Sequence, residues 1–146
     1  MKIYIINGPN LNMLGIREPE HYGKATYSEL CDMIKSHCEQ KSIDCVLYQS
    51  NHEGDLVDKI QEAYFEGADG IVINPAAYTH TSIALLDAIK STSLKTVEVH
   101  ISAVDKREGF RQISFIREAV IATVAGEGIS GYIHAIDILS DSIQKG

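Results

Sequence analysis

Three stretches of this 146-residue chain hold side chains of the kinds that move protons and grip anions. The first, residues 8–24, holds Asn10, Asn12, Arg17, Glu18, His21 and Tyr22 between Gly8-Pro9, Gly15, Pro19 and Gly23. The second, Asn74-Pro75-Ala76-Ala77-Tyr78-Thr79-His80-Thr81-Ser82, brings together an amide, a phenol, an imidazole and three hydroxyls. In the third, Thr96, Glu98 and His100 alternate with Val97, Val99 and Ile101, and Lys106-Arg107-Glu108-Gly109-Phe110-Arg111 follows. A free tyrosine has a pKa of about 10. A guanidinium beside it favours the phenolate, so an Arg17–Tyr22 contact would make Tyr22 a base near neutral pH. A Glu and a His on one face of a buried strand are costly unless used. The expected reading is therefore a functional His100 oriented by Glu98; the plainer one is a Glu98 that satisfies backbone groups and a His100 that caps the strand. The run Thr79–Ser82 opens a helix, where free backbone N–H groups favour an anion. Arg111 is a candidate anion or polyol clamp, against the plainer reading of a solvated charge run.

Something must bring these stretches to one place. Apolar runs recur at residues 3–6, 45–48, 70–73, 96–101 and 120–124. Between them lie segments of helical spacing. Residues 27–40 carry Leu30, Cys31, Ile34 and Cys38 on one stripe, and 56–65 carry Leu56, Ile60, Ala63 and Tyr64. Residues 83–89 carry Ile83, Leu86, Ala88 and Ile89, and 129–143 carry Ile129, Ile133, Ile136, Leu139 and Ile143. Strand–helix alternation of this kind predicts an α/β fold, with helices on both faces of a parallel sheet. Right-handed crossovers make a flavodoxin-like, doubly wound five-stranded sheet the simplest topology, in one domain over 1–146. Two connections exceed ordinary loop length, residues 8–24 and roughly 100–114. Both leave the carboxyl edge of the sheet, where ligands bind in such folds. The first reads as a lid rather than a plain surface loop, with glycines as hinges and prolines as stiffeners.

Composition narrows the function. A net charge of −7 argues against nucleic acid as the main partner. Three cysteines, Cys31, Cys38 and Cys45, with no CxxC pair, fit a reducing compartment and small apolar core positions. The apolar N-terminal run is too short for a signal segment, and no run reaches membrane-spanning length, so a cytoplasmic location is expected and no membrane partner. No GxGxxG follows the first strand, and the first loop lacks the Ser/Thr-rich cradle of a flavin mononucleotide site. Strand three ends in Asn74, not in the aspartate of a phospho-receiver. His80, His100 and Glu98 lack a sequential ligand pair. No cofactor and no metal is expected.

At this point the residues resemble a known family. Gly8-Pro9-Asn10-Leu11-Asn12-Met13-Leu14-Gly15-Ile16-Arg17-Glu18-Pro19 with Tyr22-Gly23 is similar to the first signature of type II 3-dehydroquinate dehydratase. Asn74–Ser82 resembles its second, and Glu98-Val99-His100-Ile101-Ser102, followed by Arg107, Glu108, Phe110 and Arg111, its third. The likeness spans essentially the whole chain, in order. It implies loss of water from 3-dehydroquinate to give 3-dehydroshikimate, a trans elimination through an enolate with neither imine nor metal. It implies Tyr22 as the base at C2, held ionised by Arg17. Asn10 and a water would stabilise the enolate oxygen, and His100, oriented by Glu98, would protonate the departing C1 hydroxyl. Asn74, His80 and the backbone of Ile101 and Ser102 would hold the carboxylate and a ring hydroxyl. Arg111 would meet the other hydroxyls, and Asp87 would reach a neighbouring subunit's site. The family's assembly implies a homododecamer, a tetramer of trimers.

The departures cluster after His100. The family commonly has Asn where this chain has Ala103, often Glu at Gly109, and His-Ser-Tyr where this chain has Ile113-Ser114-Phe115. They bear on the support of Arg111 and on trimer contacts. The competing readings are a catalytically silent flavodoxin-like module binding a quinate-type ligand and a structural shell protein. Neither needs the Tyr22–Arg17 and His100 set.

Overall fold

The computed structural model describes residues 1–16, 20, 24–103 and 107–146. Arg17, Glu18, Pro19, His21, Tyr22 and Gly23 lie outside the described residues, as does Lys106. Every residue of β1 (Lys2–Asn7) after Lys2 is buried, which a central parallel strand requires. Ile3 and Ile5 face one core, while Tyr4 and Ile6 face the other. Around β1 the sheet runs β2 (Asp44–Gln49), β1, β3 (Gly70–Asn74), β4 (Lys95–His100), β5 (Ala122–Ala125), with every pairing parallel. This is the doubly wound order expected, and its direction reverses between β1 and β3, where ligands bind.

The first core is closed by α1 (Tyr27–Gln40), through Leu30, Ile34 and Cys38, and by α4 (Gly131–Lys145), through Tyr132, Ala135, Ile136 and Leu139. The second is closed by α2 (Glu53–Phe65), through Leu56, Ile60 and Ala63, and by α3 (Ile83–Thr92), through Leu85, Leu86, Ala88 and Ile89. A capping box fixes the start of α1. Glu29 N–H donates to Thr26 Oγ1 at 3.1 Å, and Thr26 N–H donates to Glu29 Oε2 at 3.3 Å.

Several expected faces shift. Tyr64 and Ile83 are 52% and 56% exposed, and Leu85 takes the buried place expected of Ile83. On α4 the buried seam is Gly131, Tyr132, Ala135, Ile136 and Leu139, with Ile133 only half-buried. The reason lies in residue size. A Cβ at Gly131 would sit 3.4 Å from Val124 and 3.6 Å from Val99, so this face of the helix lies in contact with the sheet. Ile101 leaves the sheet after His100, and β5 starts two residues after Val120, which packs into the second core. Cys38 is buried, while Cys31 and Cys45 are half-buried free thiols. Burial, with Cys45 beside it, pushes the Cys38 thiol up to about 12. Among the described residues no helix is long and apolar enough to cross a membrane.

Candidate active site

The carboxyl ends of β1, β3 and β4 open on one cleft of about 440 Å³. Its walls include Asn10 from the first loop, Asn74 and His80 from the β3 turn, and His100, Ile101, Ser102, Arg107 and Arg111 from the end of β4 and beyond. Gly8 presses the first loop onto the β3 turn. Its N–H donates to Asn74 O at 2.8 Å, and a Cβ there would lie 2.5 Å from Pro75 O. Asn10 takes a left-handed backbone at φ 69°, and its N–H donates to Asn51 Oδ1 at 3.0 Å.

Glu98 and His100 form the buried centre of the site, at 0% and 4% exposed. His100 Nε2–H donates to Glu98 Oε2 at 2.5 Å, which leaves Nδ1 as the ring's other functional nitrogen. The hydroxyls of Thr79 and Ser114 each lie 2.9 Å from the same carboxylate oxygen and 2.9 Å from each other. Each hydroxyl has one proton, so only two of these three bonds form at once. The other oxygen, Oε1, accepts from Thr123 Oγ1 at 3.3 Å and has Arg117 Nε 3.6 Å away. Thr123 is the direct cross-strand partner of Glu98, which places both on one sheet face. Burial by itself would raise the Glu98 carboxyl. The bond and charge of His100, with the two hydroxyl donors, outweigh burial and hold it at about 2. Glu98 is therefore a buried anion at neutral pH, held by the polar groups that converge on it.

His80 Nδ1–H donates to Ile113 O at 2.6 Å. Burial lowers its pKa, the bond to the Ile113 carbonyl opposes the shift, and the Arg111 guanidinium adds to it. The ring is thus neutral at pH 7, with Nε2 as an acceptor. Asn74 is 3% exposed, and both ends of its amide are engaged by Ala76 N–H and Tyr132 Oη. Arg111 lies with its guanidinium 5.1 Å from the Phe110 ring centroid. Glu108 sits 2.9 Å from its Nε but out of line with the N–H, so that buried atom has no hydrogen-bond partner among the described residues. Among the described residues no cluster of three His, Cys, Asp or Glu is arranged to hold a metal ion.

The β3 turn divides more finely than its composition implies. Only Asn74, Ala76, Ala77 and His80 of the turn line the cleft. Tyr78 turns away and donates its hydroxyl to Asn51 O at 2.8 Å. Thr79 points inward to Glu98, and Thr81 is exposed. Ser82 caps α3 by accepting Leu85 N–H at 2.9 Å, so that helix end meets its own cap rather than the cleft. Asp87 is exposed on α3 and lies outside the lining of this cleft. Tyr22 and Arg17, the expected base and its partner, lie outside the described residues. Sequence reasoning missed Ser114, Arg117, Thr123 and Tyr132. Thr123 alone had a signal, a hydroxyl inside an apolar strand. The departures flank the site: Ala103 packs against Gly126, while Gly109, Ile113 and Phe115 are on the surface.

The class II dehydroquinase family model matches residues 1–140. A curated 3-dehydroquinate dehydratase of Clostridium beijerinckii is 50% identical over 139 residues, which cover 95% of each chain. A crystal structure of a type II dehydroquinase from Butyrivibrio crossotus DSM 2876 superposes with a TM-score of 0.95 at 56% identity, covering 96% of this chain and 97% of that one. Another, from Propionibacterium acnes, superposes with a TM-score of 0.91 at 36% identity over 96% of each chain. With sequence and fold both matched over nearly their whole length, the chain belongs to the class II dehydroquinase family.

Proposed function

We propose that this chain is a hydro-lyase, a 3-dehydroquinate dehydratase that eliminates water in the trans sense to give 3-dehydroshikimate. The observation that carries the reading is the buried Glu98–His100 pair, opening on a cleft walled by Asn10, Asn74, His80 and Arg111. A proton beside a ketone is only weakly acidic, so its removal needs a base and a stabilised enolate. Tyr22 takes the C2 proton, and Arg17 favours its phenolate. Asn10, with a water, meets the enolate oxygen. Hydroxide leaves poorly, so His100 delivers a proton to the C1 hydroxyl, which departs as water. Glu98 orients the ring and balances the charge it carries when protonated. Asn74, His80 and the backbone of Ile101 and Ser102 grip the carboxylate and a ring hydroxyl, and Arg111 meets the remaining hydroxyls.

Residues 8–24 act as the lid of this single domain. The chain assembles as a dodecamer, a tetramer of trimers, in which Asp87 reaches a neighbouring copy's cleft. It works in the cytoplasm, in the shikimate pathway or in quinate breakdown. A silent quinate-binding module would have no use for the buried Glu98–His100 pair behind the cleft. The test of the reaction is the ultraviolet absorbance of the conjugated enone formed from 3-dehydroquinate, compared between wild type and His100→Gln. Turnover by wild type that falls at least 100-fold in the variant supports the roles given. Tight binding without enone formation rejects the lyase. The assembly is tested by sedimentation, with twelve times the 16.1 kDa chain mass expected and a monomer contradicting it.

A further inference from the structure

Asn74 closes β3 at the floor of the cleft, and its amide is set by a run of hydrogen bonds whose direction is fixed from one end. The Ala76 N–H can only donate, and it donates to Asn74 Oδ1 at 3.0 Å. Nδ2 therefore faces the other way and donates to Tyr132 Oη at 2.9 Å. The Tyr132 hydroxyl has one proton and gives it to Asn7 Oδ1 at 2.7 Å. Asn7 Nδ2 then donates to Tyr27 Oη at 3.3 Å. Asn7 and Tyr132 are fully buried, and burial holds the Tyr132 phenol well above its ordinary range, so the proton stays on it. Turning the Asn74 amide over would set its NH2 against the Ala76 N–H, two donors face to face in a buried site.

We propose that Tyr132 and Asn7 are positioning residues for substrate recognition: the Ala76 N–H sets which way the Asn74 amide faces, and the Tyr132–Asn7 pair holds the amide at that angle, with its second N–H, and not its oxygen, towards the cleft. Asn74 then reads acceptor groups, a carboxylate above all, and repels none. The inference rests on the dehydratase reading given above and deepens it, because it names residues of α4 and β1, neither touching substrate, that set how tightly the carboxylate is held.

The test is a double-mutant cycle in steady-state turnover of 3-dehydroquinate, with Tyr132→Phe, Asn74→Ala and the pair together. Tyr132→Phe is expected to raise KM about 10-fold while kcat stays within about 3-fold of wild type. In the Asn74→Ala background the same change is expected to move KM less than about 2-fold. Tyr27→Phe, at the half-buried end of the run, keeps the fold if Tyr132→Phe does not. It is expected to raise KM about 2-fold, and only where Asn74 is intact. Unchanged KM in a folded variant overturns the inference, as does an equal effect with and without Asn74. Absence of turnover in wild type overturns the dehydratase reading and this inference with it. Turnover in wild type without the coupling overturns this inference alone.

Discussion

Replacing Glu98 by Gln keeps the shape of the side chain and removes the charge on which the site converges. The carboxyl sits at about 2 against an ordinary 4.5. At about 1.4 kcal/mol per pKa unit, that gap is worth on the order of 3 kcal/mol of folded-state preference for the anion. A group whose folded pKa is depressed stabilises above its unfolded value and loses that contribution as pH falls through the folded one. Glu98 therefore contributes fully above pH 4.5 and loses its contribution as pH falls to about 2. The glutamine has a donor where His100, Thr79, Ser114, Thr123 and Arg117 all bring donors, so at least one meets another donor. A lost charge-assisted bond costs about 1.5–3 kcal/mol, which in the transition state is roughly 10- to 100-fold in kcat. Enone formation at neutral pH measures the rate, and urea unfolding from pH 7 down to pH 3 measures stability. The variant is expected to be less stable than wild type at pH 7, with the difference shrinking towards pH 3. An unchanged kcat, or a stability difference that is flat with pH, would refute the role given to Glu98.

Thr123→Val removes one donor from the second oxygen of Glu98, and we expect kcat to fall several-fold, with little change in KM, in the same assay. Gly8→Ala places a Cβ 2.5 Å from Pro75 O, backbone against backbone, and is expected to cost more than about 2 kcal/mol in urea unfolding; a loss below about 0.5 kcal/mol contradicts the tight seat of the first loop. Ala103→Asn restores the residue common in the family next to Gly126. A lowered KM or a shifted pH optimum is expected, and unchanged kinetics would show that this departure is neutral.

The architecture was legible because strand and helix periods differ and alternate cleanly along the chain. Glu98 and His100 were legible because two ionisable groups on one face of an apolar strand have no cheap structural explanation. The helix faces were less so. Tyr132 carries a hydroxyl and scores as a poor core residue, yet its ring fills the α4 seam and its hydroxyl meets Asn74 and Asn7. The expected stripe holds at Ile136 and Leu139, while Ile133 cedes its place in the seam to Tyr132. Thr79 and Thr81 are the same residue two positions apart, and only the turn geometry sends one to Glu98 and the other to solvent. Ser114 and Arg117 reach Glu98 from 16 and 19 positions away along the chain, a proximity that the sheet creates and no local pattern encodes.

The central claim is that this family member retains base-and-acid elimination without help from a metal. The most direct test is the rise in ultraviolet absorbance when purified protein meets 3-dehydroquinate, compared between wild type and Tyr22→Phe, each with and without a chelator. The account predicts enone formation by wild type that ignores the chelator and falls at least 100-fold in the variant. Full activity in Tyr22→Phe, or activity abolished by the chelator, would contradict it.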